Sequence, residues 1–233
     1  FLRADGRLKT EGLFRRSPSS SLLKAVQESY DRGAPVNLST NYQDPHIAAV
    51  LIKLFFRMLP KPIFSATLYP IIKACPRPDA KGDAETLDYI REVILGAIDP
   101  PCQLIVLSQA LELLCHVSQH SDENKMNATN LATVFTPNLV RSGNALRDMS
   151  ICLVQGAPSM TQAPATSSPV SAKANAPSMT QAPATSSPVS AKANEVTLGT
   201  IIKVCIERYY EIFEEIDFEP PTMTFEDDGL MAT

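Results

Sequence analysis

The stretch Asp44 to Pro60, DPHIAAVLIKLFFRMLP, leaves little choice about its own fold. Aspartate caps helix N-termini and proline suits the first helical position, so Asp44-Pro45 opens a helix. Pro60 has no N–H to continue one and closes it. At about 100° per residue, Ile47, Val50, Leu51, Leu54, Phe55 and Met58 form one broad apolar face, and Ile52 and Phe56 are apolar on the far side. The polar strip is His46, Lys53 and Arg57, which fall within about 40° of one another at that rotation. Such a helix is expected to be buried except along its basic stripe. The wheel alone leaves two readings of the stripe open, snorkelling side chains or a surface that meets a partner.

The rest of the chain also reads as helices. Ser17-Pro18 suits the start of a helix that stops at Gly33, with Leu22, Val26 and Tyr30 on its buried face. Residues 59–63 make a rigid extended connector. A short helix over 65–73 and a loop over 76–82 precede a helix over 83–98, read through Leu87, Ile90, Ile94 and Ile98. Asp99-Pro100 repeats the cap-plus-proline start, and the helix from there to His120 turns Leu104, Leu107, Leu111, Leu114 and Cys115 inward. The polar run 121–125 is a turn, and a shorter helix over 127–135 ends before Pro137-Asn138-Leu139. The last helix, 195–216, carries Leu198, Ile201, Ile202, Cys205, Tyr209, Ile212, Phe213 and Ile216 on one side. With no alternating strand pattern and no Asn-Gly hairpin signal, the expected fold class is all-α.

One segment departs from this pattern. Residues 157–175, APSMTQAPATSSPVSAKAN, recur letter for letter as 176–194. Their Ala, Ser, Thr and Pro supply too little apolar bulk to offset the entropy of ordering, so 157–194 is expected to be a disordered insertion. The domain is thus read as 1–216, interrupted by 157–194, and followed by an acidic disordered tail, 217–233.

Composition excludes several classes. No apolar run approaches the about 20 residues that span a bilayer. No basic-then-apolar leader precedes the domain, and a fragment of a longer protein is expected. Five cysteines without C-x-x-C spacing read as reduced thiols and favour the cytosol. His116 and His120 stand i,i+4 without an H-E-x-x-H arrangement, so no metal site is expected. A phosphate loop and a Ser-His-Asp arrangement with a nucleophile elbow are likewise missing, which argues against a self-contained active site. The net charge of −4 hides an asymmetry: residues 1–61 carry ten Lys/Arg against five Asp/Glu, whereas 206–233 carry nine acids against Arg208. The positive region lacks interleaved aromatics, so it points to an acidic or phosphorylated partner rather than nucleic acid.

Within that region lies KTEGLFRRS, 9–17, where two arginines follow a glycine just before a helix start. Arg15 is the residue expected to act, on a phosphate carried by another molecule. Three motifs then occur in order: EGLFRRS at 11–17; DPH leading to LIKLFFRMLPKP at 51–62; and NKMNATNLATVFTPNL at 124–139. Together they closely resemble the RhoGAP domain, the GTPase-activating domain for Rho-family small GTPases, from residue 1 to about 141 and again in the last helix. The pattern is N-terminally truncated, since the family has another helix or two before the position of Lys9, and it carries the repeat insertion.

The resemblance implies an all-α, RhoGAP-like helical bundle that lends an arginine finger in trans to a GTP-bound Rho-family GTPase and so switches its signalling off. Arg15 would be the finger. Lys53 and Arg57 match positions that contact the GTPase or support the finger loop, and Asn138 matches the asparagine of the Pro-Asn-Leu motif at the partner interface. GTP and magnesium would belong to the partner, with no cofactor held by this chain. The complex would be a transient heterodimer in the cytoplasm, or at membranes where the GTPase or further domains recruit it. The alternative implied function is a non-catalytic GTPase-binding or scaffold module. Two departures stand out: Met58 where an acid is usual, and Thr136 where glycine or alanine is usual, close enough to the interface to alter partner choice.

Overall fold

A computed structural model of the protein describes residues 1–4, 6–77, 83–155 and 195–214. After a 3-10 turn, Arg7–Lys9, come α1 (Ser20–Asp31), α2 (Leu38–Asn41), α3 (Pro45–Met58) and α4 (Tyr69–Lys73). Then follow α5 (Asp83–Asp88), which runs into a π-helical stretch Tyr89–Leu95, and α6 (Pro101–Ser118), α7 (Ser121–Asn124) and α8 (Ala128–Phe135). The 3-10 turn Thr136–Asn138, α9 (Ala145–Cys152), α10 (Leu198–Glu207) and α11 (Tyr209–Phe213) complete the order. No strand is present among the described residues, only an isolated parallel bridge between Phe64 and Val140. The fold is all-α.

Local chemistry sets most helix starts. Asn37, Asp44, Asn127, Asn144 and Thr197 each accept a backbone N–H from the first turn of the helix that follows. The centre of the bundle is α10, packed on α8, α6 and α9. Its residues Leu198 to Cys205 are buried apart from half-buried Lys203. Gly199 permits this closeness: a Cβ there would stand 2.3 Å from the Cys152 carbonyl oxygen and 2.4 Å from that of Leu153. Helix α6 has the length and composition to cross a membrane. Here it supplies Leu107, Leu111 and Leu114 to the core and pairs Glu112 with Arg3 at the surface.

Several expectations need correcting. Helix α1 starts at Ser20, after Pro18, and its N-cap Ser19 makes no capping bond. Of its expected inward face only Val26 is buried, with Leu22 and Tyr30 exposed, because α1 packs chiefly on α3. In α3 the expected inward face is buried at Ile47 but not along its C-terminal half. Phe56 and Ala49 enter the core, while Phe55 and Met58 are exposed and, with Leu51 and Leu54, line an open apolar groove of about 810 Å³ facing α6. Helix α6 begins at Pro101, so Asp99 is not its cap. The helix expected over 195–216 starts at Leu198 and breaks at Arg208, where φ −118° and ψ 37° leave the helical region. The sequence reading missed α2 and α9. Cys75, Cys115 and Cys205 are buried, Cys152 is half-buried and Cys102 exposed, all as free thiols. The disordered insertion expected at 157–194 and the acidic tail at 217–233 lie outside the described residues, as do Ile216 and most of the 76–82 loop.

A buried-edge polar contact ties α9 to α4. The Tyr69 hydroxyl donates to Asp148 at 2.6 Å, and the other Asp148 oxygen accepts the Ser142 N–H at 2.9 Å. Burial alone would raise the Asp148 carboxyl, but the bonds from Ser142 and Tyr69 outweigh it and hold it below the ordinary carboxylate value. A carboxyl depressed on folding contributes stability above its unfolded pKa and loses it as pH falls through the folded one. Urea melts of the wild type should therefore lose more stability between pH 6 and about pH 3 than those of Asp148→Asn. Equal losses would remove Asp148 from the acid response.

Candidate functional site

The loop 10–17 is built to push one arginine out. Gly12 and Phe14 both have positive φ, +71° and +68°. For glycine this is free, but for phenylalanine it is an uncommon conformation that persists only where surroundings enforce it. Here Leu13 and Phe14 are fully buried, and the chain turns sharply enough that Arg15 and Arg16 are exposed beside them. The Phe14 ring meets Phe135 of α8 edge-on at 6.4 Å, and Phe135 meets Phe56 of α3 in the same way at 5.4 Å. The N–H groups of Arg15 and Arg16 both donate to the Gly12 carbonyl, at 2.9 and 2.8 Å, which closes the turn.

Two polar contacts hold the loop against the bundle. Lys53 Nζ, from α3, donates to the Phe14 carbonyl at 2.6 Å. Burial, then the nearby Arg57 charge, pushes the Lys53 ammonium below the usual lysine range. On the other side the Gly12 N–H donates to the Asn124 carbonyl at 2.8 Å. Asn124 is fully buried at the end of α7. Its Nδ2 donates to the carbonyls of Leu8 and Val117, each at 2.8 Å, and its Oδ1 accepts the Met126 N–H at 2.7 Å. Asn124 thus anchors both the loop and the turn before it. The run expected to be a polar turn is the short helix α7 with Lys125 as its C-cap, and although Asn124 opens the third motif, nothing local shows that it reaches Leu8 and Gly12.

The two arginines differ. Arg16 forms an ion pair with Glu11. Arg15 is exposed, and among the described residues its guanidinium has no hydrogen-bond or ion-pair partner. Arg57, also exposed, lies one helical turn beyond Lys53 on α3. The expected stripe is therefore real at its Lys53–Arg57 end and is continuous with the Arg15 loop. Asn138 sits differently from its expected place at a partner surface. It is 7% exposed, and its Nδ2 donates to the Val134 and Phe135 carbonyls at 3.1 and 2.9 Å, which caps the end of α8. That leaves it as a support for Phe135, the ring under Phe14. Thr136 is also inside, with its hydroxyl donating to the Ala132 carbonyl at 2.7 Å, so it offers no side chain to a partner. Among the described residues no group of three or more His, Cys, Asp or Glu could hold a metal ion.

The arrangement is an exposed guanidinium without a partner among the described residues, on a braced loop that Lys53 joins to α3. A guanidinium presented in this way is suited to an anionic group. The sequence pattern of the RhoGAP domain matches residues 1–144. Rho GTPase-activating protein 1 of Mus musculus is 36% identical over 138 residues, covering 59% of this chain and 30% of that protein. Rho GTPase-activating protein 8 of Mus musculus is 37% identical over 150 residues, 64% of this chain and 34% of that protein. The chain therefore spans about a third of the length of these relatives. Among solved structures, the BH domain from Graf, the GTPase regulator associated with focal adhesion kinase, superposes with a TM-score of 0.57 at 17% identity, covering 90% of this chain and 87% of that one. Human Rho GTPase activating protein 15 gives 0.54 at 21% identity, covering 61% and 68%.

Proposed function

Because the chain belongs to the RhoGAP domain family, we propose that it accelerates GTP hydrolysis by a GTP-bound Rho-family GTPase, with Arg15 as the finger it inserts. The observation that carries this reading is the exposed Arg15 guanidinium, without a partner among the described residues, on a loop braced by Lys53 and Asn124. The nucleotide and its magnesium belong to the partner. This chain contributes charge and position.

Negative charge grows on the transferring phosphoryl group and the leaving oxygen, and a GTPase alone lacks enough counter-charge for it. A planar guanidinium supplies two parallel donors and a charge that does not titrate away. The bracing matters because a loop already fixed in its working shape loses little entropy when it docks. Leu13 and Phe14 act as the anchor, Lys53 holds the peptide next to Arg15, and Arg57 extends the positive surface along α3. Electrostatic attraction to the partner makes association fast at low salt and slower as salt rises.

Single-turnover GTP hydrolysis on Rho- and Rac-type GTPases tests the activity directly. No acceleration by the intact, folded chain would reject it. Preference for the GDP–metal fluoride complex separates an activator from a module that merely binds, since a pure binder gains nothing from a transition-state mimic. Lys53→Met should lower kcat/KM about tenfold or more and also lower the melting point by several degrees, because it takes a charged donor, worth about 1.5–3 kcal/mol, from the carbonyl of buried Phe14. Full activity in that variant would show that the Phe14 carbonyl does not need its brace.

A further inference from the structure

We infer that Arg141 is a positioning residue for the basic stripe, acting by clamping the C-terminal end of α3. The inference rests on the activator reading above and adds to it a residue outside the finger loop, one that reaches the expected partner surface through the backbone of Arg57.

Helix α3 ends at Met58, so the carbonyls of its last turn have no partner within the helix and carry its partial negative charge. Arg141 meets them from the far side of the sequence. Its Nη1 donates to the Arg57 carbonyl at 3.1 Å, and its Nη2 donates to the carbonyls of Leu59 and Pro60 at 2.7 and 2.9 Å. One guanidinium therefore gathers three carbonyls across the helix end and the first residues of the connector. The planar fork allows this, whereas a lysine ammonium presents a single point of charge.

The backbone around Arg141 is itself fixed. The Phe64 N–H donates to the Leu139 carbonyl at 3.0 Å, and Phe64 and Val140 form the isolated parallel bridge. The connector 59–64 is thus fastened to 139–141 at both ends, by side chain at one and by backbone at the other. Residues 139–141 directly follow the turn in which Asn138 caps α8. Arg141 consequently joins the end of α8, which carries Phe135 under the loop, to the end of α3, which carries Arg57. The peptide it grips is that of Arg57 itself, so the clamp keeps the last turn of α3 from fraying and fixes the backbone from which the Arg57 side chain projects.

Arg141, Arg57, Met58 and Pro60 are exposed. Water can therefore replace the clamp's bonds when the guanidinium is removed, and the fold is expected to tolerate the loss. The effect belongs to partner binding instead.

The test uses the whole chain and a GTPase that the wild type activates. Arg141→Met should raise KM for the GTPase about tenfold, with kcat within about twofold, because Arg15 is untouched. Arg141→Lys should recover only part of the loss, and both variants should melt close to the wild type. In an Arg57→Ala background, Arg141→Met should cost nothing further, since the residue it positions is gone. Wild-type kinetics in Arg141→Met would overturn the inference. So would an undiminished loss in the Arg57→Ala background, or a loss that Arg141→Lys reverses completely. If the wild type accelerates no GTPase, the activator reading fails and takes this inference with it. If the wild type is active and Arg141→Met equals it, the inference alone fails.

Discussion

Arg15→Ala is expected to abolish most of the acceleration while leaving the protein folded. The side chain is exposed and bonds to nothing among the described residues, so its removal breaks no internal contact and the melting point should hardly move. An arginine supplied in trans contributes on the order of 10³–10⁵ to the rate, about 4–7 kcal/mol of barrier. Arg15→Lys should recover little, because an ammonium cannot make the two parallel contacts of a guanidinium. Arg16→Ala is the control. Arg16 is already paired with Glu11, so its loss should change the rate by only a few fold. Single-turnover rates for the three variants against one GTPase decide the matter, and a wild-type rate for Arg15→Ala would remove it from the role.

Phe14→Ala should be the most damaging change in the loop, and it should act through stability. The ring is fully buried against Phe135, and Phe135 in turn rests on Phe56. Deleting a buried phenylalanine costs about 3–5 kcal/mol, because the cavity collapses only in part. The replacement must also hold a positive φ of +68° without a ring to enforce it. Urea titration should show a midpoint shift of that size with an unchanged slope. Below the new midpoint, activation should still be reduced, since the residue beside Arg15 no longer pins the turn. Phe14→Leu, which keeps much of the bulk, should lose less on both counts. A Phe14→Ala protein with wild-type stability would show that the buried ring is not what holds the strained backbone.

What could be read from sequence and what could not divide along the range of the interactions. The cap at Asp44 with Pro45 and the stop at Pro60 are local chemistry, and they stand where the residues place them, whereas the similar signals at Ser17-Pro18 and Asp99-Pro100 lie just ahead of helices that start at Ser20 and Pro101. The stripe of Lys53 and Arg57 was legible as a periodicity. Which apolar side of α3 is buried was not, since a wheel with two apolar sides cannot tell which one has a neighbour. Phe56 finds Phe135, whereas Phe55 faces the open groove. Asn124 opens the third motif, but its bracing role was illegible for the same reason in polar form. Its importance comes from carbonyls at Leu8 and Val117 and from an N–H at Gly12, two of them more than a hundred residues away along the chain. Asn138 was singled out by motif, but only its surroundings reveal that its amide is spent on its own helix end.

The way α9 meets α10 bears on how this chain can change over generations. The Gln155 side chain donates to the Glu195 carbonyl at 3.0 Å, the Gln155 N–H donates to Thr200 Oγ1 at 3.2 Å, and Thr197 donates to the Leu153 carbonyl. Residues 155 and 195 are therefore held close together by contacts among the described helices themselves. Because those contacts set the spacing, the length of chain between the two residues does not, and closure cost in general grows slowly, by about 0.6 kcal/mol for each doubling of length. A junction fastened in this way lets whole units be gained or lost between 155 and 195 while the helices keep their register. A perfect 19-residue duplication at this point is the kind of copy-number change that such an architecture tolerates.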